Sequence, residues 1–414
     1  MKLNKFILSS LTFLILSFLI CIPSLANEPN LKSEAAILFE VSTGNILYSK
    51  NATQKLYPAS TTKILTAIIA IESCELDDVA TVSKNAIALV PSGYSNGGLV
   101  PGEELTIKDL LYALMLNSAN EAANVLAEHI SGTIDKFSIL MNQKADEIGC
   151  TNSNFLNTNG MHNDNHYTTA LDLAIIANYC MKNDTFREIV STQTYTLPNT
   201  NKYSGIPRIM KNTNQLINTS SKYYLEEATG IKTGYTSQAG NCLVSSAKRN
   251  NIELIAVTLK AGSSSQDSAY RFIDGKELLE YGLNNFNFRT IATKGDLIDT
   301  IKIENATTET ENLKIVIKED IIDFLANDSE IEETKIEIKE NLEAPIKAGT
   351  VVGQVSYSTD DKFYTVELIA ENEIIERTYY EIIIIIGIII LIFIIIIVKI
   401  ISSRKNKNYF RKNI

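Results

Sequence analysis

Three apolar patterns divide the chain. A predominantly apolar run lies at each end, Phe6 to Ile22 behind Lys2 and Lys5, and Ile382 to Val398, which is almost wholly aliphatic. Between them, apolar residues first recur in runs of helical length interleaved with a few strand-like stretches. From Asn287 to Glu376 they instead form short runs, such as 301–303, 313–317, 334–338 and 364–368, separated by charged or Gly/Pro turns. The first arrangement predicts helices packed on strands, the second an all-β domain.

Residues 36–41 and 45–49, joined by Ser42-Thr43-Gly44, predict a hairpin. Pro58 cannot continue a helix backwards, and Ile64, Leu65, Ala67, Ile68, Ile69 and Ile71 follow, so a buried helix should begin near Ser60. The stretch 83–102, with Pro91, Gly93, Gly97, Gly98 and Pro101, reads as irregular loop. Helices are predicted over 106–116, capped by Thr106, and over 121–130, with only Asn117-Ser118-Ala119-Asn120 between them. An asparagine-rich structured loop at 151–165 precedes a helix at 169–181. Strands at 242–247 and 253–259 meet across 248–251; Lys232-Thr233-Gly234 should open the strand before them, and a short helix at 278–282 should close the domain. A hairpin beside a buried helix suggests a mixed α+β layer in place of a doubly wound sheet.

The two ends change the picture from a soluble chain to an exported, anchored one. Ser24-Leu25-Ala26 places small residues where signal peptidase needs them, so residues 1–26 are expected to be a signal peptide. Ile20 is too bulky for lipoprotein processing at Cys21. Residues 382–401 are long enough to cross a bilayer. Beyond Val398 come Lys399, Arg404, Lys405, Lys407, Arg411 and Lys412 and no acid, which assigns residues 402–414 to a basic cytoplasmic tail and everything before the helix to the outside. No Leu-Pro-x-Thr-Gly sorting box precedes the helix, so it should remain as the anchor. The expected domains are then 29–284 and a β-rich 287–376. A net charge of -10 argues against nucleic acid as a partner. Cys74, Cys150, Cys180 and Cys242 survive processing; they allow three disulfide pairings or stay as buried thiols, and spacing does not choose.

Ser60-Thr61-Thr62-Lys63 sets a hydroxyl and an ammonium one helical turn apart. A desolvated lysine can lose its proton near neutral pH and serve as base to a serine nucleophile, although the same pattern also describes a serine cap beside a snorkelling lysine. Ser118 and Asn120 sit in a tight polar turn that either holds short side chains at a cleft or simply caps the next helix. At a sheet edge Gly234 would admit another backbone, and Lys232 with the Thr233 hydroxyl can hold an anion. His162 and His166 lie in a non-helical loop without a third ligand, so no metal site and no cofactor are expected.

Ser60-x-x-Lys63, Ser118-Ala119-Asn120 and Lys232-Thr233-Gly234, in that order in one exported domain, resemble the boxes of the penicillin-interacting serine enzymes, and within them the low-molecular-mass D-alanyl-D-alanine carboxypeptidases of Gram-positive type. Gly160-Met161-His162, Arg271-Phe272 and the run Ile346 to Gly353, similar to a signature of the family's C-terminal domain, extend the likeness from about Ala35 to about Leu368. The resemblance implies a β-lactamase/transpeptidase-like α+β domain followed by the β domain. It implies Ser60 as nucleophile, Lys63 as its base and Ser118 as proton relay. Asn120 would hold the substrate's backbone; Lys232, Thr233, Gly234 and Arg271 would bind the carboxylate; the backbone N–H groups of Ser60 and Tyr235 would form the oxyanion hole. Peptidoglycan stem peptides ending in D-Ala-D-Ala would be the substrates and β-lactams covalent inhibitors. Ala119 stands where glycine is common and Tyr235 where some members carry His; neither side chain is expected to react.

A class A-type β-lactamase would share the boxes, but the loop 157–169 offers only Asp164 as a carboxylate to activate deacylating water. A non-catalytic penicillin-binding sensor would need more than a tail of about a dozen residues to signal through. Acyl transfer to an amine in place of water is compatible with the same boxes.

Overall fold

The computed structural model describes residues 28–262, 264–359 and 362–410; the expected signal peptide with Cys21, and Arg411 and Lys412 at the end of the tail, lie outside the described residues. Two compact units are present. One extends to Asn287 and includes Phe324–Asn327; the other comprises Phe288–Asp323 and the chain from Asp328 on.

The first unit is built on five antiparallel strands, β1 (Ala35–Glu40), β2 (Ile46–Lys50), β7 (Ala228–Thr236), β8 (Gly240–Arg249) and β9 (Ile252–Leu259), in the order β2-β1-β9-β8-β7. Strands β3 (Val79–Thr81) with β4 (Glu104–Thr106), and β5 (Thr194–Leu197) with β6 (Arg208–Lys211), form two small ribbons. Every residue of β9 is buried, because helices cover the sheet on both faces. That is why its sequence runs apolar without alternation. The helices are α1 (Lys63–Ser73), α2 (Lys84–Ala88), α3 (Ile107–Met115), α4 (Asn120–Ser131), α5 (Ile134–Glu147), α6 (Ala170–Cys180), α7 (Asp184–Ser191) and α8 (Tyr270–Asn285). Residues 63–70 of α1 are all buried, since α3, α4 and α6 surround it.

Local signals explain most of these elements. Thr106 and Asp109 exchange hydrogen bonds with each other's backbone N–H in a capping box at the start of α3. Four expectations change. The stretch 83–102 holds the short α2, capped by Ser83, whose hydroxyl accepts the Ala86 N–H at 2.8 Å. Helices α5 and α7 were not anticipated, although Thr133 and Asn183 cap them in the usual way. The closing helix runs from Tyr270 and not from Leu278; Gly275 and Gly282 weaken its helical pattern, yet at Gly282 a Cβ would lie 2.6 Å from Leu254, so glycine is what lets α8 approach the sheet. Lys232 to Gly234 do not open their strand but lie well inside β7, which starts at Ala228.

In the second unit β10 (Leu297–Lys302), β11 (Asn312–Ile317), β12 (Glu332–Ile338), β13 (Val351–Ser358) and β14 (Phe363–Ala370) form a sheet in the order β10-β11-β14-β13-β12. Along β14, Val366, Leu368 and Ala370 point inward between exposed Thr365 and Glu367, the half-buried alternation of an antiparallel sheet. Helix α9 (Tyr380–Phe410) contains the apolar span Ile382–Ser403, long enough to cross a membrane and not buried against protein.

Candidate active site

Pro58 is followed by a tight 3-10 turn, Ala59–Thr62, and only then by α1. Ala59 adopts φ +48°, and the Thr61 hydroxyl donates to the Pro58 carbonyl at 2.7 Å. The turn presents Ser60 to a cavity of about 910 Å³ while Lys63 points inward and is fully buried. The Lys63 Nζ has three oxygen neighbours: Ser60 Oγ at 2.9 Å, Asn120 Oδ1 at 2.8 Å and the Asn159 carbonyl at 2.7 Å. Burial, with a smaller contribution from Lys232, holds the Lys63 ammonium well below its usual pKa, and Glu121 opposes them weakly. The identity of Asn120 Oδ1 follows from its amide partner, since Nδ2 donates to the Ser95 carbonyl at 2.8 Å. Two of the three neighbours can only accept. A neutral Lys63 amine would give its two N–H to them and turn its lone pair to the Ser60 hydroxyl.

The Asn159 carbonyl is supplied by the asparagine-rich loop, which folds on its own side chains. Asn157 Oδ1 accepts the Gly160 N–H at 2.7 Å and Asn159 Oδ1 accepts the Met161 N–H at 3.0 Å. Gly160 has φ +82°, and a Cβ there would sit 1.7 Å from the Ala59 carbonyl oxygen. The loop therefore buttresses the Ser60 turn from below. His166 ties the two together. Its Nδ1 must accept the Leu156 N–H at 3.0 Å, so its Nε2 carries the proton and donates to Thr62 Oγ1 at 2.9 Å. Burial first, then His162 and Lys63, push its pKa down to about 4, keeping it neutral. Asn159, Gly160 and His166 escaped the sequence reading as site residues; the density of asparagines was the available signal, because each closes a turn locally.

Ser118, at φ +58° in the turn between α3 and α4, lines the cavity, and Asn120 begins α4. Glu121 is buried beside it; its Oε1 accepts the Gly97 N–H at 2.6 Å, and burial raises its pKa. Asn120 N–H and Nδ2 both reach Ser95, which fastens this turn to the loop above it.

Strand β7 is the sheet edge on the far wall. A Cβ on Gly234 would come within 3.0 Å of both the Pro58 carbonyl and the Ser60 nitrogen, so glycine lets the strand close on the Ser60 turn. Thr233, Gly234, Tyr235 and Arg271 line the cavity with Ser60 and Ser118; Lys63, Asn120 and Lys232 are buried and do not line it. Thr233 Oγ1 meets Thr213 Oγ1 at 2.6 Å, and Arg271 donates from one terminal nitrogen to the Gly234 carbonyl at 2.9 Å. The Lys232 Nζ has no hydrogen-bond partner among the described residues. Burial, and then the Arg271 charge, lower it to about 7.

His162 and His166 do not converge. The first bonds Asp164 at 3.2 Å, while both ring nitrogens of the second are taken by Thr62 and Leu156. Asp164 itself is 86% exposed and faces His162. The four described cysteines are unpaired, and burial raises the thiols of Cys150 to about 12 and Cys242 to about 11.

Residues 23–263 match the family profile described as D-alanyl-D-alanine carboxypeptidase, and residues 286–376 match that of the penicillin-binding protein 5 C-terminal domain. The D-alanyl-D-alanine carboxypeptidase DacF of Bacillus subtilis is 30% identical over 83% of this chain and 85% of its own length. Among solved structures, the D-alanyl-D-alanine carboxypeptidase DacD from Francisella tularensis superposes with TM-score 0.66 at 26% identity, covering 84% of this chain and 95% of that one. The Streptomyces K15 DD-transpeptidase gives TM-score 0.56 at 32% identity, over 62% of this chain and 98% of that one.

Proposed function

The chain belongs to the D-alanyl-D-alanine carboxypeptidase family, a family of serine-type peptidases, and from that membership we propose that it removes the terminal D-alanine from peptidoglycan stem peptides through an acyl-enzyme on Ser60. The observation that carries the residue assignment is the Lys63 Nζ, held 2.9 Å from Ser60 Oγ with its other two neighbours both acceptors.

Ser60 Oγ attacks the carbonyl carbon between the two D-alanines while Lys63 takes the hydroxyl proton. The oxyanion forms against the backbone N–H groups of Ser60 and Tyr235, a pairing supported by the close approach of the neighbouring Gly234 to the Ser60 nitrogen; each such donor is worth on the order of 3 kcal/mol of barrier. The proton passes from Lys63 through the Ser118 hydroxyl to the leaving nitrogen, the C–N bond breaks, and free D-alanine departs. Water then hydrolyses the Ser60 ester. Lys232, Thr233 and Arg271 hold the terminal carboxylate, and Asn120 holds the peptide backbone while orienting Lys63. A β-lactam enters the same cycle and acylates Ser60, but hydrolysis of its ester is slow. The unit of residues 29–284 works outside the membrane after loss of residues 1–26, with the β domain of 287–376 as spacer, 382–401 as anchor and 402–414 in the cytoplasm.

Full-length protein in detergent, given diacetylated Lys-D-Ala-D-Ala, should release free D-alanine and be blocked by stoichiometric penicillin. Penicillin acylation without peptide turnover would point to a sensor, and rapid penicillin hydrolysis to a β-lactamase; either result rejects the proposal. The likeness to a DD-transpeptidase supports one second reading, partial transfer of the acyl group to an added amine, which product analysis in the same assay resolves.

A further inference from the structure

Helices α1 and α4 meet at the candidate active site through Lys63 and Asn120, and their opposite ends bring together a second group of chemical side chains. Cys74 terminates α1, His129 occupies the last turn of α4, and the turn after Cys74 folds Asp78 back towards both. One ligand atom from each of Cys74, Asp78 and His129 lies within 4.8 Å of the others. We propose that these three residues bind a borderline divalent cation of the Zn²⁺ class through the Cys74 thiolate, a His129 ring nitrogen and an Asp78 carboxylate oxygen.

The turn that carries Asp78 is rigid. Asp78 Oδ2 accepts the Glu75 N–H at 3.0 Å, and the Asp78 and Leu76 carbonyls accept from Ile107 and Lys108 at the start of α3 at 2.9 and 3.0 Å. In a tetrahedral zinc site with bonds of about 2.0–2.3 Å, ligand atoms stand roughly 3.3–3.8 Å apart. Closure therefore needs about 1 Å of side-chain rotation, and Asp78 and His129 are exposed and Cys74 half-buried, so the rotation is open to them. Sulfur, nitrogen and oxygen together suit zinc, where magnesium and calcium want oxygen alone. Three protein ligands leave the fourth position to water. Both helices also turn their C-terminal ends, the negative poles of their dipoles, to this point. Burial and the Asp78 carboxylate raise the Cys74 thiol, so the metal must displace its proton: the S–H bond breaks, the S–metal bond forms, and one H⁺ goes to solvent with no change of oxidation state. Cys74 is free and half-buried, whereas Cys150, Cys180 and Cys242 are buried. The site lies about 16 Å from Lys63 along α1, taking 1.5 Å per residue, so it ties the helices without touching the reacting atoms.

Titration of reduced full-length protein in detergent with Co²⁺ should give a thiolate-to-cobalt charge-transfer band that saturates at one equivalent and is abolished by Zn²⁺. The band should vanish in Cys74→Ser and need at least tenfold more cobalt in His129→Ala and Asp78→Asn, while all three variants still acylate with penicillin. No band in the wild type, or a band that survives Cys74→Ser, overturns the site. Should a variant fail to fold, alkylation of wild-type Cys74 by iodoacetamide, followed by mass spectrometry, decides: Zn²⁺ should slow it at least tenfold, and an unchanged rate overturns the proposal.

Discussion

On the helical side of the cavity, Lys63 has three oxygen partners; on the sheet side, Lys232 has none among the described residues. Both side chains are buried and both lose basicity to burial. Lys63 is held by three oxygens delivered by three separate segments, which fixes its amine beside the Ser60 hydroxyl. Among the described residues Lys232 sits beside Arg271 without a counter-charge, an arrangement that favours an anion. Under the proposed mechanism the two walls divide the work between proton transfer and recognition of a carboxylate.

Disrupting the helical side should have the largest effect. Lys63→Met, like Ser60→Ala, is expected to lower the acylation rate by penicillin by roughly 10⁴-fold or more, read by labelled-penicillin trapping in time courses. Label retained at wild-type rates in Lys63→Met would remove the base from the scheme. Next comes the buttress: Gly160→Ala puts a Cβ against the Ala59 carbonyl and should cost about 2–4 kcal/mol of stability, seen in denaturant melts, together with slower acylation.

The sheet side should respond differently. Lys232→Met is expected to raise KM for the D-Ala-D-Ala peptide by roughly 10–100-fold, corresponding to about 1.5–3 kcal/mol from a charge-assisted contact, while Ser60 remains acylable. Its signature is pH. With a folded pKa of about 7 against the ordinary 10.5, the unfolded chain binds more protons between those values, so stability rises with pH across that window. Over the same range the wild-type site loses the Lys232 charge, and KM for the peptide should climb above about pH 7. Both slopes should flatten in Lys232→Met; an unchanged KM profile would move carboxylate recognition to Arg271 alone. The smallest effect belongs to His166. Its folded value of about 4 lies below the ordinary 6.5, so the unfolded state again binds more protons in between, and stability is lost as pH falls through 6.5 to 4. In His166→Gln that acid limb should shrink, which melts at several pH values can read.

Much of the site was legible because its boxes are short and local. Ser60 and Lys63 share a helical turn, and Ser118 and Asn120 share one tight connection, so spacing alone put each pair together. Helices α5 and α7 were harder to see because their polar faces dilute the apolar stripe, and α8 because Gly275 and Gly282 look like breaks until the sheet beneath them is known. The loop carrying Asn159 was visible as an asparagine-rich stretch with a family-like Gly160-Met161-His162; that its carbonyl serves Lys63 depends on a contact across 96 residues of chain.

What the sequence by itself determined is the chemistry on offer: the candidate serine and lysines, the hydroxyl and amide between them, an α+β pattern followed by an all-β one, and a C-terminal apolar segment of membrane length. The tertiary structure alone decided which groups are satisfied and which are left wanting a partner, because burial and hydrogen bonding depend on what distant segments deliver. Lysine is lysine in both boxes; only packing holds one among three oxygens and leaves the other buried beside Arg271 without a hydrogen-bond partner among the described residues.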